Sequence, residues 1–363
     1  MIRRGIGLII VAMAIGIGLY FYFSANKLPD IELEGYIGGE KIGIFENQKI
    51  QAILKEDYSI SIDYVKLGSI EMVRENTGGK DFLFPSGQFL LDFFKEKQRN
   101  RLLKSSNPFN SPIVLYSWDV VTKALEREGI VSRRDGVYFA DMAKLLHIIE
   151  AQKSWEDIGL KDIYGKVSVI TTDPTKSNSG NQFVGLLAKV MNDGNGISEE
   201  NLDRILNRLH KIYSQLGYLE HSSADLFTKY LRTGVGANPI IAGYESQMIE
   251  MMRGDSEIWN QFKNEISIIY PEPTVWSSQI LIALKANAKR LVEAFKDEEI
   301  QKIVWEDNGF RSGLTENGND SLKRDLKGIA PKIQQVISMP TTDIMIKIIN
   351  WFHKMLLPEN SYS

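Results

Sequence analysis

The chain has no cysteine, only four histidines and no surplus of positive charge. The missing cysteine excludes thiol catalysis, disulfide frameworks, iron–sulfur clusters and cysteine-ligated zinc. His147, His210, His221 and His353 are scattered, and none has another histidine three to five residues on. A zinc helix carrying paired histidines is therefore excluded as well. The 43 Lys and Arg are outnumbered by 46 Asp and Glu, and no stretch forms a basic stripe, which argues against a nucleic-acid partner. No internal repeat or low-complexity tract interrupts the sequence. What remains is 363 residues, more than one ordinary core requires, suited to two domains or one bilobed unit. So little equipment for hard chemistry points to a binder rather than a metalloenzyme or thiol enzyme. No cofactor is expected.

The amino-terminal end is the longest apolar run. Arg3 and Arg4 precede an uncharged stretch from Gly5 to Phe23 that closes on Tyr20-Phe21-Tyr22-Phe23. As a helix it spans about 28 Å, against roughly 30 Å for a bilayer core. The two arginines keep the amino terminus cytoplasmic, and the closing aromatics suit the outer interface. Residues 1–27 are thus expected to form a signal anchor, crossing the membrane through residues 5–23 with the main domain outside the cytoplasm. The alternative is cleavage near Ala25 to Lys27, which yields a secreted or periplasmic protein. Tyr22-Phe23-Ser24-Ala25 makes a poor cleavage site.

Beyond Pro29, strand-like and helix-like pieces alternate, the pattern of an α/β fold. Strands are expected at Ile31–Ile37, Ser59–Tyr64, Asp81–Phe84, Pro112–Tyr116, Gly165–Thr172, Asn238–Gly243 and Ile266–Tyr270. Helices are expected at Glu40–Glu56, Val120–Glu128, Tyr138–Ala151, Ser198–Gln215, Glu245–Arg253, Ala286–Phe295 and Asp297–Trp305, and in the last fifty residues apart from a Gly/Asn-rich break at Thr315–Asp320. No linker is long enough to separate independent domains. Two lobes joined by crossing strands fit best: 28–116 with the return 271–363, and 117–270, with crossovers near Tyr116–Asp119 and Tyr270–Thr274.

Polar loops at strand ends are the candidate site. The richest is Thr171–Phe183, where Ser177, Asn178, Ser179, Gly180 and Asn181 open an apolar helix. A helix start with free N–H groups, hydroxyls and amides binds anions or polar oxygens; plain capping is the bland alternative. Four further loops are Gly38-Gly39-Glu40-Lys41, Pro85-Ser86-Gly87-Gln88, Gly243-Tyr244-Glu245-Ser246-Gln247 and Thr274–Ser278, with Ser277 in the last. Ser117 stands beside the first crossover. The glycines of the first loop read by themselves as a tight turn needing positive φ. In open α/β sheets ligands bind beyond the carboxyl ends of strands, so these loops are expected to share one cleft.

Taken together, Thr171–Phe183, Asn238–Glu245 and Pro273–Ser278 resemble the bacterial extracellular solute-binding proteins of ABC transporters, with the type II periplasmic binding fold and similar to molybdate and sulfate binders. The resemblance covers about residues 30 to 315. It implies two lobes, two crossing strands and a ligand clamped by hinge closure. By the same resemblance Ser177–Asn181 match the ligand loop of the second lobe, Tyr244 a cleft-facing strand end and Ser86 a hydroxyl loop. The chain departs from oxyanion binders in placing Glu40 and Glu245 near the expected cleft, where a carboxylate repels a bare oxyanion.

The expected role is capture of a small polar or anionic solute for an ABC permease. A non-transporting envelope scaffold or sensor on the same fold is the alternative. Catalysis is not expected: Ser277 or Ser278 with His221 is the only pairing that suggests it, and no G-x-S-x-G or S-x-x-K motif surrounds those serines.

Overall fold

The computed structural model describes Met13 and residues 28–74, 77–254, 256–312 and 328–356. Apart from Met13, the apolar run Gly5–Phe23 lies outside the described residues, as does the Gly/Asn-rich break at Thr315–Asp320. Among the described residues no helix is long and apolar enough to cross a membrane.

Among the described residues nine strands form the framework: β1 (Ile31–Ile37), β2 (Ile60–Lys66), β3 (Phe82–Phe84), β4 (Lys104–Trp118), β5 (Val131–Arg134), β6 (Val137–Asp141), β7 (Ile240–Tyr244), β8 (Ile266–Glu272) and β9 (Trp276–Ala283). They lie in the order β2-β1-β3-β9-β4-β8-β6-β5, with β7 on β4. The first part of β4, Lys104 to Pro112, pairs with β9. From Ile113 on, β4 pairs instead with β7 and β8. β4 therefore runs through both halves of the sheet, and β8 and β9 make the same passage in reverse at Pro273–Val275. The core is divided likewise. One hydrophobic cluster holds Leu33, Phe45, Phe82, Phe84, Phe109 and Phe295. The other holds Tyr116, Phe183, Leu209, Ile241 and Ile349.

Several expected elements take a different form. The helix expected over Glu40–Glu56 breaks at Asn47, whose side chain accepts from the N–H groups of Lys49 and Ile50 and starts a new helix at Gln48. Tyr138–Asp141 is strand β6: Asp135 and Gly136, both at positive φ, turn the chain into a hairpin, and the helix waits for Asp141 to cap it. Gly165–Thr172, the clearest alternation in the sequence, is not a regular strand. Val167 and Val169 are buried, so the backbone is extended, yet it makes only isolated bridges, Ser154 to Lys166 and Ile170 to Ile241. Burial on alternate sides requires an extended chain but not a ladder.

β9 contains Ser277 and Ser278, so only Thr274 and Val275 remain of the expected fifth loop. β4 extends eight residues before Pro112, through a polar run with a register shift between Ser106 and Phe109 that accommodates Asn107 and Pro108. The helices Gln88–Gln98 and Ser223–Thr233 have no counterpart in the sequence reading. The carboxyl-terminal helix Thr342–Leu356 buries Ile344, Met345, Ile348, Ile349 and Phe352.

Candidate ligand cleft

The site is built on the loop after β1. Gly38 has φ −70°, so a left-handed turn is not why glycine stands there. What lies close to it instead is flexible side-chain ends. A Cβ on Gly38 would sit 2.5 Å from the Glu40 carboxylate, and one on Gly39 would sit 2.8 Å from the Lys66 stem. The loop closes as a short 3₁₀ turn, Gly39–Lys41, that drives the Lys41 side chain inward. Lys41 is fully buried and lies 5.1 Å over the Phe84 ring. Its ammonium donates to Glu40 Oε1 at 2.5 Å, Ser86 Oγ at 2.7 Å and Gln279 Oε1 at 2.7 Å. All three N–H donors of the ammonium are thus used. Burial holds the Lys41 pKa below the usual lysine value although Glu40 pulls it back up. For Glu40, burial raises the pKa, but the Lys41 ammonium and the bonds from Lys41 and Ser86 outweigh it and leave the carboxyl below its ordinary value.

The opposite wall is the start of the helix Asn178–Val190. Ser177 holds the N-cap position without a side-chain cap bond; its hydroxyl lies 3.1 Å from that of Ser179. Asn178 Nδ2 donates to Tyr244 OH at 2.9 Å and to Ser277 Oγ at 3.1 Å. Gln279 Nε2 reaches the same Ser277 Oγ at 3.3 Å. A hydrogen-bonded chain therefore runs from Lys41 through Gln279, Ser277 and Asn178 to Tyr244, linking the loops of the two halves. Tyr244 is held from behind, its carbonyl accepting from Tyr116 OH. Burial first, and the Glu40 charge second, raise the Tyr244 pKa above the usual phenol value and keep it neutral.

In front of this chain lies a cavity of about 410 Å³. Gly38, Gly39 and Glu40 line one side with Lys66–Ser69 and Glu71, and Lys176, Ser177 and Asn178 line the other with His221–Ala224 and Tyr244. Of the residues singled out in the sequence, Gly39, Glu40, Ser177, Asn178 and Tyr244 line it. Lys41, Ser86, Ser179 and Ser277 stand in the hydrogen-bonded layer around it. The others are placed elsewhere. Glu245 is fully buried and forms a two-point ion pair with Arg311, Oε2 to Nε at 2.7 Å and Oε1 to Nη2 at 2.6 Å, with Tyr270 OH on the same carboxylate. Gly180 packs under the Thr172 carbonyl, where any Cβ would collide. The Asn181 amide is buried with no partner on either end among the described residues. Ser117 donates to the Trp118 carbonyl within the far half of the sheet. Gln88 bonds Asp92 and lines a separate cavity with Gln182, Trp276 and the segment 336–342.

Lys66, Glu71, Ser222, Ser223 and Gln279 were not singled out for the site, and His221 was considered only as a partner of Ser277 or Ser278. Gln279 carried a usable signal, because on a strand it shares a face with Ser277. The rest come from segments with no motif of their own.

No family model matches the chain, and no curated protein matches it in sequence. Solved structures do. The sulfate-binding protein SubI of Mycobacterium tuberculosis H37Rv matches over 91% of this chain and 100% of its own, at 15% identity and a TM-score of 0.55. The substrate-binding protein of an ABC transporter from Agrobacterium tumefaciens matches over 92% and 96%, at 13% identity and 0.53. The spermidine/putrescine ABC transporter substrate-binding protein PotD of Streptococcus pneumoniae matches over 88% and 99%, at 10% identity and 0.51. The fold is that of the extracellular solute-binding proteins. At these identities the likeness establishes the solute-binding-protein fold and leaves the ligand open, since one fold hosts many functions. Two of these neighbours are named for unlike solutes, one for sulfate and one for spermidine and putrescine.

Proposed function

We propose that this chain is an extracytoplasmic solute-binding protein that captures a small polar or anionic solute and presents it to an ABC permease. The observation that carries this reading is the hydrogen-bonded chain from Lys41 to Tyr244 behind a 410 Å³ cavity. Polar groups from both halves are fixed before a ligand arrives, which reduces the ordering cost of binding. The lobes in this reading are 28–116 with 271–363, and 117–270. The passages of β4 and of β8–β9 between sheet halves support such a division and supply the two hinges. Capture, not catalysis, suits the serines: Ser277 Oγ is held by the Asn178 and Gln279 amides, with no imidazole partner among the described residues. The run from Gly5 to Phe23 serves as the membrane tether.

A thermal-shift screen of the full chain against oxyanions, sugars, amino acids, polyamines and metal ions tests the reading. A ligand at a hundred times its dissociation constant adds about 2.7 kcal/mol of stability. One solute class is expected to give such a shift, and Ser177→Ala with Ser179→Ala is expected to abolish it. No shift with any class would refute capture. Sequencing the amino terminus of the mature protein tests the tether: a start near Ala25 to Lys27 would mean cleavage.

A further inference from the structure

We infer that the cleft takes a zwitterionic solute, its cationic nitrogen inward and its anionic group toward the mouth, and that Glu40 sets this polarity. The inference rests on the solute-binding reading and adds a ligand class to it.

Two observations carry it. The first is the order of charges along the wall. Glu40 lines the cavity with its side chain 12% exposed, while Lys41 behind it is wholly buried. The three ammonium donors of Lys41 are already directed at Glu40, Ser86 and Gln279, so none is left for a ligand. An inner ligand group therefore meets the negative end of this ion pair. The side-chain contacts to Glu40 all fall on Oε1, from Lys41 and Ser86, and Oε2 receives none from the described residues.

The second is the mouth. Lys66 and Lys176 are exposed on opposite sides, and neither forms an ion pair among the described residues. Glu71 shares the side of Lys66, with its carboxylate on the Gly68 N–H. His221 lies on the second side.

A carboxylate inside and free lysines outside match an ammonium group and a carboxylate joined by a short chain. A bare dianion fits poorly, because its inner oxygens would face the Glu40 carboxylate. Repulsion of this kind discriminates between ligands as effectively as attraction. A cavity of about 410 Å³ is on the scale of one small solute.

Titration calorimetry of the full chain with γ-aminobutyrate, putrescine and sulfate tests the assignment. γ-Aminobutyrate is expected to bind tightest, putrescine at least roughly tenfold more weakly and sulfate not at all. Glu40→Gln is expected to weaken γ-aminobutyrate by roughly tenfold or more. Because that change leaves Lys41 without a counter-charge, the paired variant Glu40→Gln/Lys41→Met is measured beside it, with melting curves for both, and is expected to show the same loss. Sulfate binding more tightly than γ-aminobutyrate would overturn the polarity, as would undiminished γ-aminobutyrate binding in the folded paired variant. Silence toward all three probes while another solute class shifts the melting temperature also overturns the polarity but leaves capture standing. Silence toward every class overturns both.

Discussion

Two glutamates flagged in the sequence as cleft carboxylates, Glu40 and Glu245, both end up in buried ion pairs, and the pairs differ in which partner meets the cavity. Glu245 is fully buried, and its partner Arg311 is only 14% exposed. The pair is fork to fork, with Tyr270 on the carboxylate and the Ala330 carbonyl accepting from Arg311 at 2.6 Å. It ties the start of the helix Glu245–Gly254 to β8 and to the chain after Phe310. Glu40 instead keeps its cation wholly hidden and turns its carboxylate toward the cavity. The first arrangement pins elements together, whereas the second presents a charge. Arginine suits the first, because its planar fork matches a carboxylate at two points, and lysine the second, because a compact ammonium can be buried behind its partner.

The largest expected effect breaks the pin. Glu245→Ala leaves Arg311 in a mostly enclosed site without its counter-ion, and removing one partner of a buried pair costs about 3–5 kcal/mol. Urea unfolding is expected to show a loss of this size, with ligand affinity retained in material that folds. A loss below about 1 kcal/mol would mean that water already compensates Arg311.

A third glutamate sharpens the contrast, because no cation pairs with it among the described residues. Glu250 lies beside Gly43 and Asn308, and burial, reinforced by the charge of Glu40 against the bond from Asn308, raises its pKa to about 8 from the ordinary 4.5. The folded state then holds a proton that the unfolded chain releases. Stability from this carboxyl is complete below about pH 4.5 and is lost as pH rises through about 8. The slope approaches about 1.4 kcal/mol per pH unit between those limits. Glu250→Gln is expected to flatten the pH dependence of the melting temperature there, and an unchanged slope would assign it to other groups.

The alternation of apolar and polar residues carried much of the fold, since six of the nine described strands, Ile31–Ile37 and Ile266–Glu272 among them, coincide with expected strands, whereas Val131–Arg134 was not expected and Val137–Asp141 falls largely in an expected helix. It failed where burial and pairing part company. Val167 and Val169 are buried without a ladder, and β9 hides behind Ser277, Ser278 and Gln279, whose polarity reflects the site and not the surface. The cleft was legible through its loops: Gly39, Glu40, Ser177, Asn178 and Tyr244 follow strands or extended segments and converge. Arg311 was not legible as the partner of Glu245, because 66 residues separate them and neither segment has a motif. The orientation of a side chain, as for Gln88 and Ser117, cannot be read from its position after a strand.

A smaller effect tests the cleft side of the comparison. Tyr244→Phe removes the hydroxyl that accepts from Asn178 Nδ2, while Ser277 remains as a partner. One hydrogen bond of this kind contributes about 1 kcal/mol, so unfolding should move by that amount or less. The freed amide should weaken binding of the solute, whereas a stability loss with affinity unchanged would make Tyr244 structural only.

The smallest effect belongs to an ion pair with neither property. Lys347, on the carboxyl-terminal helix Thr342–Leu356, pairs with Glu199, and the two side chains are 48% and 67% exposed. Water screens both charges, and the long side chains lose freedom on pairing, so exposed pairs contribute at most about 1 kcal/mol. The helix is held by Ile344, Met345, Ile348, Ile349 and Phe352 on its buried face, which Lys347 does not share. Lys347→Ala is therefore expected to shift unfolding by less than about 0.5 kcal/mol and to lose even that in high salt. A shift as large as that of Glu245→Ala would mean that enclosure is not what separates the pinning pair from the rest, because geometry alone would then suffice.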